Sequence, residues 1–414
     1  MQFWSTLASN FVNVATMKLI CAREFRRTDE DHVFAVFSAR LLLELGSGQA
    51  SSRIASRSLC RHMRVLMGAS NGIVSTCAPS EPMLAIAAAH LLNVTGKVYK
   101  EALQYLVHHL ILKGVVLERG MQGELLARIL LMVARDRALV NGDTDCAAPI
   151  VRQPLLSKTH EGGSWVQTVT LKEFLTTLVP GIDRSHTLKL NPETPNMLSW
   201  ADKYRLNFTH FIQLTDVITQ LSPEFLFYCW CRGVALQCAL LQPVFDILVV
   251  IYSGNLDKPF NEKHLGIVAI QVKLRATAGP LRLVTDMACP TLCSNGRSWR
   301  PPHMVLLMEL GTQRQFQRGG NYKVDYGTLS EDPGTVWGGY DNTRDEPKRY
   351  SLHIRGHKPY AMERMAPDIE TMFLRNYDFS PEQFDEIRTD MEEKLKPLAG
   401  KAKKTFWNEE GLFT

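Results

Sequence analysis

The chain lacks any long apolar run: nowhere in its 414 residues do about 18 uninterrupted apolar positions occur, so no membrane span is expected. It also lacks a basic opening segment followed by a continuous apolar core. Residues 1–25 read MQFWSTLASNFVNVATMKLICAREF, which makes a poor secretory leader. Together these absences lead to the expectation of an intracellular protein, cytoplasmic or nuclear, with no membrane partner. Several chemistry-bearing motifs are missing too. There is no GxxxxGK(S/T) phosphate loop, since Gly96-Lys97 is followed by Val98, and no GxGxxG, GxSxG or HExxH. ATP hydrolysis, dinucleotide binding, serine-hydrolase chemistry and zincin chemistry therefore find no foothold, and no nucleotide cofactor is expected. No fixed-period repeat points to a solenoid.

Cysteine is present in a pattern that argues against disulfides. The nine residues are odd in number and irregularly spaced in apolar surroundings, as suits reduced, buried thiols. Cys289 and Cys293 with Cys229 and Cys231 form a poor zinc set, because no histidine stands at finger-like spacing. A hydrophobic content of 45% and a charged content of 21% exclude global disorder and allow a sizeable core. The formal charge of +5 permits a polyanionic partner, DNA or RNA, without requiring one.

Residues 1–140 read as a helical region. Helical spacing runs from His32 to Leu45; Ser80-Glu81-Pro82 supplies an N-cap serine and an early proline; and helices follow over Tyr99–Leu112 and Met121–Leu139. His108 and His109 are neighbours about 100° apart on a helix, which suits surface histidines better than one shared ion. Residues 141–163 read as a linker or long loop. A mixed-sheet region spans 164–378, with strands expected at WVQTVT, Leu206–Leu214, VALQCA and Met304–Gly311, and helices at LKEFLTTLV and after Ser222-Pro223-Glu224. Residues 312–349 are rich in Gly, Asp, Asn and Tyr and read as an extended surface loop. Residues 379–414 hold a last helix capped at Ser380 and a lysine-rich tail.

The chemistry centres on Phe245–Arg275. FDILVVIY and GIVAIQVKLR are two β-branched runs around a polar loop, the pattern of neighbouring strands. Asp246 opens the first; Gln271 and Lys273 lie two apart near the end of the second and so share a face. A charged aspartate opening so apolar a strand needs a partner or an ion to offset its desolvation. Asp246 as an anionic ligand, with the Gln271 amide and the Val272 carbonyl as oxygen donors, suits a hard cation such as Mg or Mn. Lys273 beside them can orient a water or stabilise a phosphoryl transition state. His210 alternates with Phe208 and reads as a packed strand residue, and His264 as a loop residue near the same strand.

Asp246 followed by Gln271-Val272-Lys273 resembles the PD-(D/E)xK nuclease superfamily in its QxK variant. The resemblance implies an α/β (α+β) fold, a restriction-endonuclease-like mixed sheet flanked by helices, and magnesium-dependent cleavage of phosphodiesters. Asp246 and Gln271 would then be metal ligands and Lys273 catalytic. The family's Pro-Asp pair is not intact, since Pro243 lies three residues before Asp246. The acid that the family supplies from a preceding helix has two candidates. Glu124 lies in GELLAR, 122 residues upstream (246 − 124), and Glu224 opens its own helix. The blocks SEPMLAIAAA, GELLARILLMVARD, NFTHFIQL, RGVALQCALLQPVFDILVVIY and GIVAIQVK are also similar to an expanded group of uncharacterised fungal proteins akin to the C-terminal part of Crinkler-type proteins, where an ATPase precedes a nuclease-like domain. On that resemblance the chain is the nuclease-like half alone. Two other classes stay open: a non-catalytic module that keeps the fold and binds a protein, and a folded remnant without activity.

Overall fold

The computed structural model describes residues 2–360 apart from 118–121, 140–167, 275–290, 312–321, 329–347 and a few isolated positions. The expected linker over 141–163, Cys289 and the C-terminal helix and tail lie outside the described residues.

The helices described in the first third are α1 (Gln2–Leu19), α2 (Glu30–Ser38), α3 (Gln49–Arg61), α4 (Pro82–Leu92), α5 (Gly96–Tyr105) and α6 (Gln122–Leu139). Asp29 accepts from the N–H groups of Asp31 and His32 to start α2, and Thr95 accepts from Val98 N–H to start α5. Pro82 begins α4 as expected, but the cap is Glu81, whose carboxylate accepts from Met83 N–H at 3.2 Å. The Ser80 hydroxyl is engaged elsewhere, 3.1 Å from His210 Nε2. The run from His32 to Leu45 is not one helix. It stops at Ser38, and Glu44–Leu45 (β1) pairs with Val116–Leu117 (β4). Beyond the C-cap at Ala39, Arg40 turns inward to buried acceptors. The expected helix over Tyr99–Leu112 widens into a π-helical turn at Leu106–Ile111, where His109 stacks on Tyr105 and meets Lys113 Nζ at 3.0 Å. Val65–Ser70 (β2) and Ile73–Cys77 (β3) add a hairpin that the sequence reading did not foresee.

The rest builds a mixed sheet flanked by helices, an α/β architecture. Its members are β5 (Val169–Thr170), β6 (Arg205–Leu206), β7 (His210–Gln213), β9 (Val234–Gln237), β10 (Ile247–Tyr252), β11 (Leu265–Leu274), β14 (His303–Leu310), β15 (Tyr322–Thr328) and β16 (Lys348–Arg355). The order is β15-β16-β14-β11-β10-β6-β5, with β9 also pairing β10, and β7 pairing β9. β10 and β11 are antiparallel, whereas β11, β14 and β16 run parallel. A smaller sheet holds β8 (Gln220–Leu221), β12 (Thr291–Ser294) and β13 (Arg297–Trp299). Three further helices accompany them: α7 (Leu171–Leu178), α8 (Thr194–Ala201) and α9 (Pro223–Cys231). α9 is capped by Ser222 as expected.

Two strand expectations need correction. Leu206–Leu214 is two strands, because Asn207 bonds to Trp230 O at 2.7 Å and Thr209 N–H to Gly233 O at 2.7 Å. The expected loop over 312–349 contains β15, whose antiparallel ladder with β16 supplies hydrogen bonds that side-chain periodicity does not advertise.

The sheet's two faces differ in what covers them. Leu248 and Val250 on β10, with Ile267 and Ala269 on β11, share a core with Leu226, Cys229 and Trp230 of α9. On the opposite face α6 comes so close that a Cβ at Gly123 would lie 3.0 Å from Leu274 Cβ and 3.4 Å from Val272 Cγ1. Glycine at 123 is what lets the start of α6 rest on the end of β11.

A buried ion pair anchors the far end of α6. Arg40 and Asp136, each 1% exposed, are joined by two hydrogen bonds of 2.5 and 2.7 Å. Arg40 Nε also donates to Thr209 O at 3.0 Å, and Asn93 donates to Asp136 at 3.2 Å. Removing one partner strands the other in the interior. Asp136→Ala is expected to cost about 3–5 kcal/mol in urea unfolding, and Arg40→Met with Asp136→Leu well below the sum of the single losses. Additive losses would show that the two do not act as a unit.

Candidate functional site at the open end of β10 and β11

The ladder between β10 and β11 runs from Tyr252↔Leu265 to Ile247↔Ile270 and then stops. Asp246 sits at this end. Its N–H still donates to Ile270 O at 2.8 Å, while its carboxylate takes the next free donor, Val272 N–H, at 2.6 Å. β11 continues beyond this point paired only with β14, through Leu274↔Leu310. The chain enters β10 through Val244, which holds φ at 73°. A β-branched residue there is strained by roughly 1–3 kcal/mol, and such strain gathers at functional sites.

Strand pleating places Gln271 and Lys273 together on the α9 face of β11, whereas α6 rests on Val272 and Leu274 of the opposite face. Asp246 stands at the edge where the β10–β11 ladder ends, its carboxylate on the Val272 N–H. Of the two helix acids, Glu124 is the one brought here. It stands in the first turn of α6, next to the glycine packed on β11, and its carboxylate accepts a hydrogen bond from Gln237 Nε2. Glu224 instead sits exposed in the first turn of α9, where it favours the helix dipole.

A shared donor joins the two acids: Gln237 Nε2 bonds the Glu124 carboxylate and, at 3.1 Å, the main-chain oxygen of Asp246. Burial first, and the charge of Asp246 second, push the Glu124 carboxyl up to about 7, against the opposing pull of Arg128, the Gln237 bond and Lys273. Burial also raises Asp246, while the Val272 N–H and Lys273 draw it down. The buried Cys238 thiol is pushed up to about 12 by burial and by both carboxylates. Two half-buried acids here face two cations, Lys273 and Arg128.

The donor set fits a hard cation. Glu124 and Asp246 could supply carboxylate oxygens of the kind magnesium and manganese take together with waters, while Gln271 stands on the α9 face of β11 and makes no described hydrogen bond to either. Among the described residues no group of three or more His, Cys, Asp or Glu is gathered as for a metal ion. The arrangement is thus an oxygen-poor carboxylate pair rather than a protein cage.

Two features were missed by sequence reasoning. Gln237 is buried on β9 and joins Glu124 to the site; an amide in an apolar strand next to cysteine was the only trace. Farther along the same face, Lys273 lies in register with Glu309, and Glu309 with Arg355. Glu309 is fully buried, with Arg355 Nε at 2.6 Å and His353 Nε2 at 3.3 Å. Its clue was a glutamate inside the apolar run MVLLMEL.

The remaining candidates fall elsewhere. His210 is buried between Ser80 and Thr209, with burial, then Arg40 and Arg232, lowering it to about 4. His264 meets Ser253 at the loop end of β11. Cys231 is exposed, Cys229 is buried, and Cys293 contacts Ser298. No helix among the described residues is long and apolar enough to cross a membrane. The chain matches no family model, no curated protein and no solved structure.

A folded carboxyl above its ordinary value binds its proton more tightly folded than unfolded. Glu124 therefore favours the folded state at low pH, and that benefit is lost as pH rises from about 4.5 through about 7. In metal-free buffer Glu124→Gln is expected to be more stable than wild type at pH 8, by about 1–2 kcal/mol after allowance for partial solvent screening, and equal to it near pH 4.5. Urea titrations at both pH values measure this; an equal difference at both would show that Glu124 is not held above its usual range.

Proposed function

We propose that this chain is a metal-dependent nuclease of the restriction-endonuclease-like type, acting on DNA or RNA phosphodiesters. The observation that carries the reading is the approach of Glu124, from a helix 122 residues upstream (246 − 124), to Asp246, since Gln237 Nε2 bonds both the Glu124 carboxylate and the main-chain oxygen of Asp246 at the end of β10. A helix acid, a strand aspartate and a strand lysine are the parts such a site needs.

Asp246 and Glu124 would hold a magnesium or manganese ion. When bound, the metal supplies Lewis acidity for a phosphoryl oxygen and lowers the pKa of an attacking water. The Val272 N–H holds one Asp246 oxygen in place and leaves the other for a ligand. Lys273 contributes positive charge beside the developing phosphorane and can orient the water. The raised Glu124 must lose its proton to bind a cation, so metal binding is expected to strengthen as pH rises through about 7.

A second reading rests on one surface feature. Met63, Val65, Leu66 and Met67 are 43%, 46%, 54% and 65% exposed at the start of the β2–β3 hairpin. Consecutive exposed apolar residues of that kind favour a protein-binding module.

Purified wild type, Asp246→Ala and Lys273→Ala, assayed with magnesium or manganese on single- and double-stranded DNA and RNA, separate the two. The nuclease reading expects metal-dependent cleavage reduced on the order of 100-fold or more in each variant. Equal activity in all three places cleavage elsewhere. A folded wild type that neither cleaves nor binds metal moves the assignment to the interaction module.

A further inference from the structure

We propose that Gln237 is a positioning residue for the metal site, its side-chain amide tying the Glu124 carboxylate to the strand that carries Asp246. The inference rests on the metal-dependent reading above. Gln237 is the last residue of β9, 1% exposed, and stands opposite Ile247. Its Nε2 donates to the Glu124 carboxylate and, at 3.1 Å, to the main-chain oxygen of Asp246. That oxygen also accepts from Cys238 N–H at 2.8 Å, so the backbone at Asp246 is held from two sides.

The orientation of the amide follows from its neighbours. A carboxylate and a carbonyl offer only acceptors, and a rotated amide would turn its oxygen against both. In the observed orientation Gln237 Oε1 is buried without a hydrogen-bond partner. Such an oxygen is costly, and an apolar side chain of similar size would avoid the cost. Core stability alone gives no reason for this glutamine. What it adds is a fixed spacing between two carboxylates carried by different elements. The groups facing Glu124 are Asp246 from β10, Lys273 from β11, Arg128 from α6 itself and the Cys238 thiol after β9. Of these, Lys273 and Arg128 attract the carboxylate. The Gln237 hydrogen bond is directional.

Calorimetric titration of the full-length chain with Mn²⁺ tests this in a double-mutant cycle of Gln237→Met and Glu124→Ala. Gln237→Met is expected to weaken Mn²⁺ binding by about 10-fold or more, as loss of a ligand-orienting contact does. The double variant should bind no more weakly than Glu124→Ala alone, because Gln237 acts through Glu124. A folded Gln237→Met that binds within about twofold of wild type overturns the proposal, and so do losses that simply multiply. Should Gln237→Met fail to fold, Gln237→Asn keeps a polar amide but draws it one methylene back; the same loss is expected, and full affinity overturns the idea. Wild type that binds no Mn²⁺ sinks the metal reading and this inference together. Wild type that binds, beside an unaffected Gln237→Met, sinks only the role of Gln237.

Discussion

The arrangement of the molecule depends on one buried ion pair. Arg40, from the loop after α2, grips Asp136 near the end of α6 with two hydrogen bonds, and its Nε reaches the carbonyl of Thr209 just before β7. Asn93, at the end of α4, and Arg135 Nη1, at 3.3 Å, also bond the carboxylate. One guanidinium thereby joins the helical region to the sheet. A buried charge pair is a poor source of net stability, but it is intolerant of misplacement. The helix it holds cannot rotate or slide without breaking it.

That rigidity matters at the other end of the same helix. Glu124 lies 12 residues before Asp136 (136 − 124), roughly 18 Å along the axis. Gly123 lets this end press onto Val272 and Leu274, and Gln237 accepts the task of bonding the carboxylate. The ion pair therefore sets the helix, the glycine sets its closest approach, and the amide sets the acid. A site assembled from distant segments draws on each of these.

The strands contribute the other half through an interruption. Where the β10–β11 ladder ends, the Val272 N–H is left for a side chain, and Asp246 takes it. The strained Val244 just before it redirects the chain at the same point. Burial first, and the charge of Asp246 second, raise the Glu124 carboxyl at this end of the ladder. A hard cation held there would lower that cost, which supports the metal-dependent proposal.

Alternation and capping made much of this legible in the chain itself. The β-branched runs around Val249 and Val268 specify neighbouring strands; Ser222-Pro223-Glu224 specifies a helix start; and the two-residue spacing of Gln271 and Lys273 places them on one face. Those are local properties, determined within a few residues by sterics and hydrogen bonding. The choice between Glu124 and Glu224 was not local, and neither was the role of Gln237 or the pairing of Glu309 with Arg355. The edge strand β15 and the early end of α2 escaped for the same reason: their backbone partners and the acceptors of Arg40 lie far away in sequence. The sequence by itself determined strands β10 and β11, the Ser222 helix cap and the shared face of Gln271 and Lys273. Only the tertiary structure decided which distant acid meets Asp246, because that meeting depends on long-range packing around a buried charge, and no periodicity in the chain encodes it.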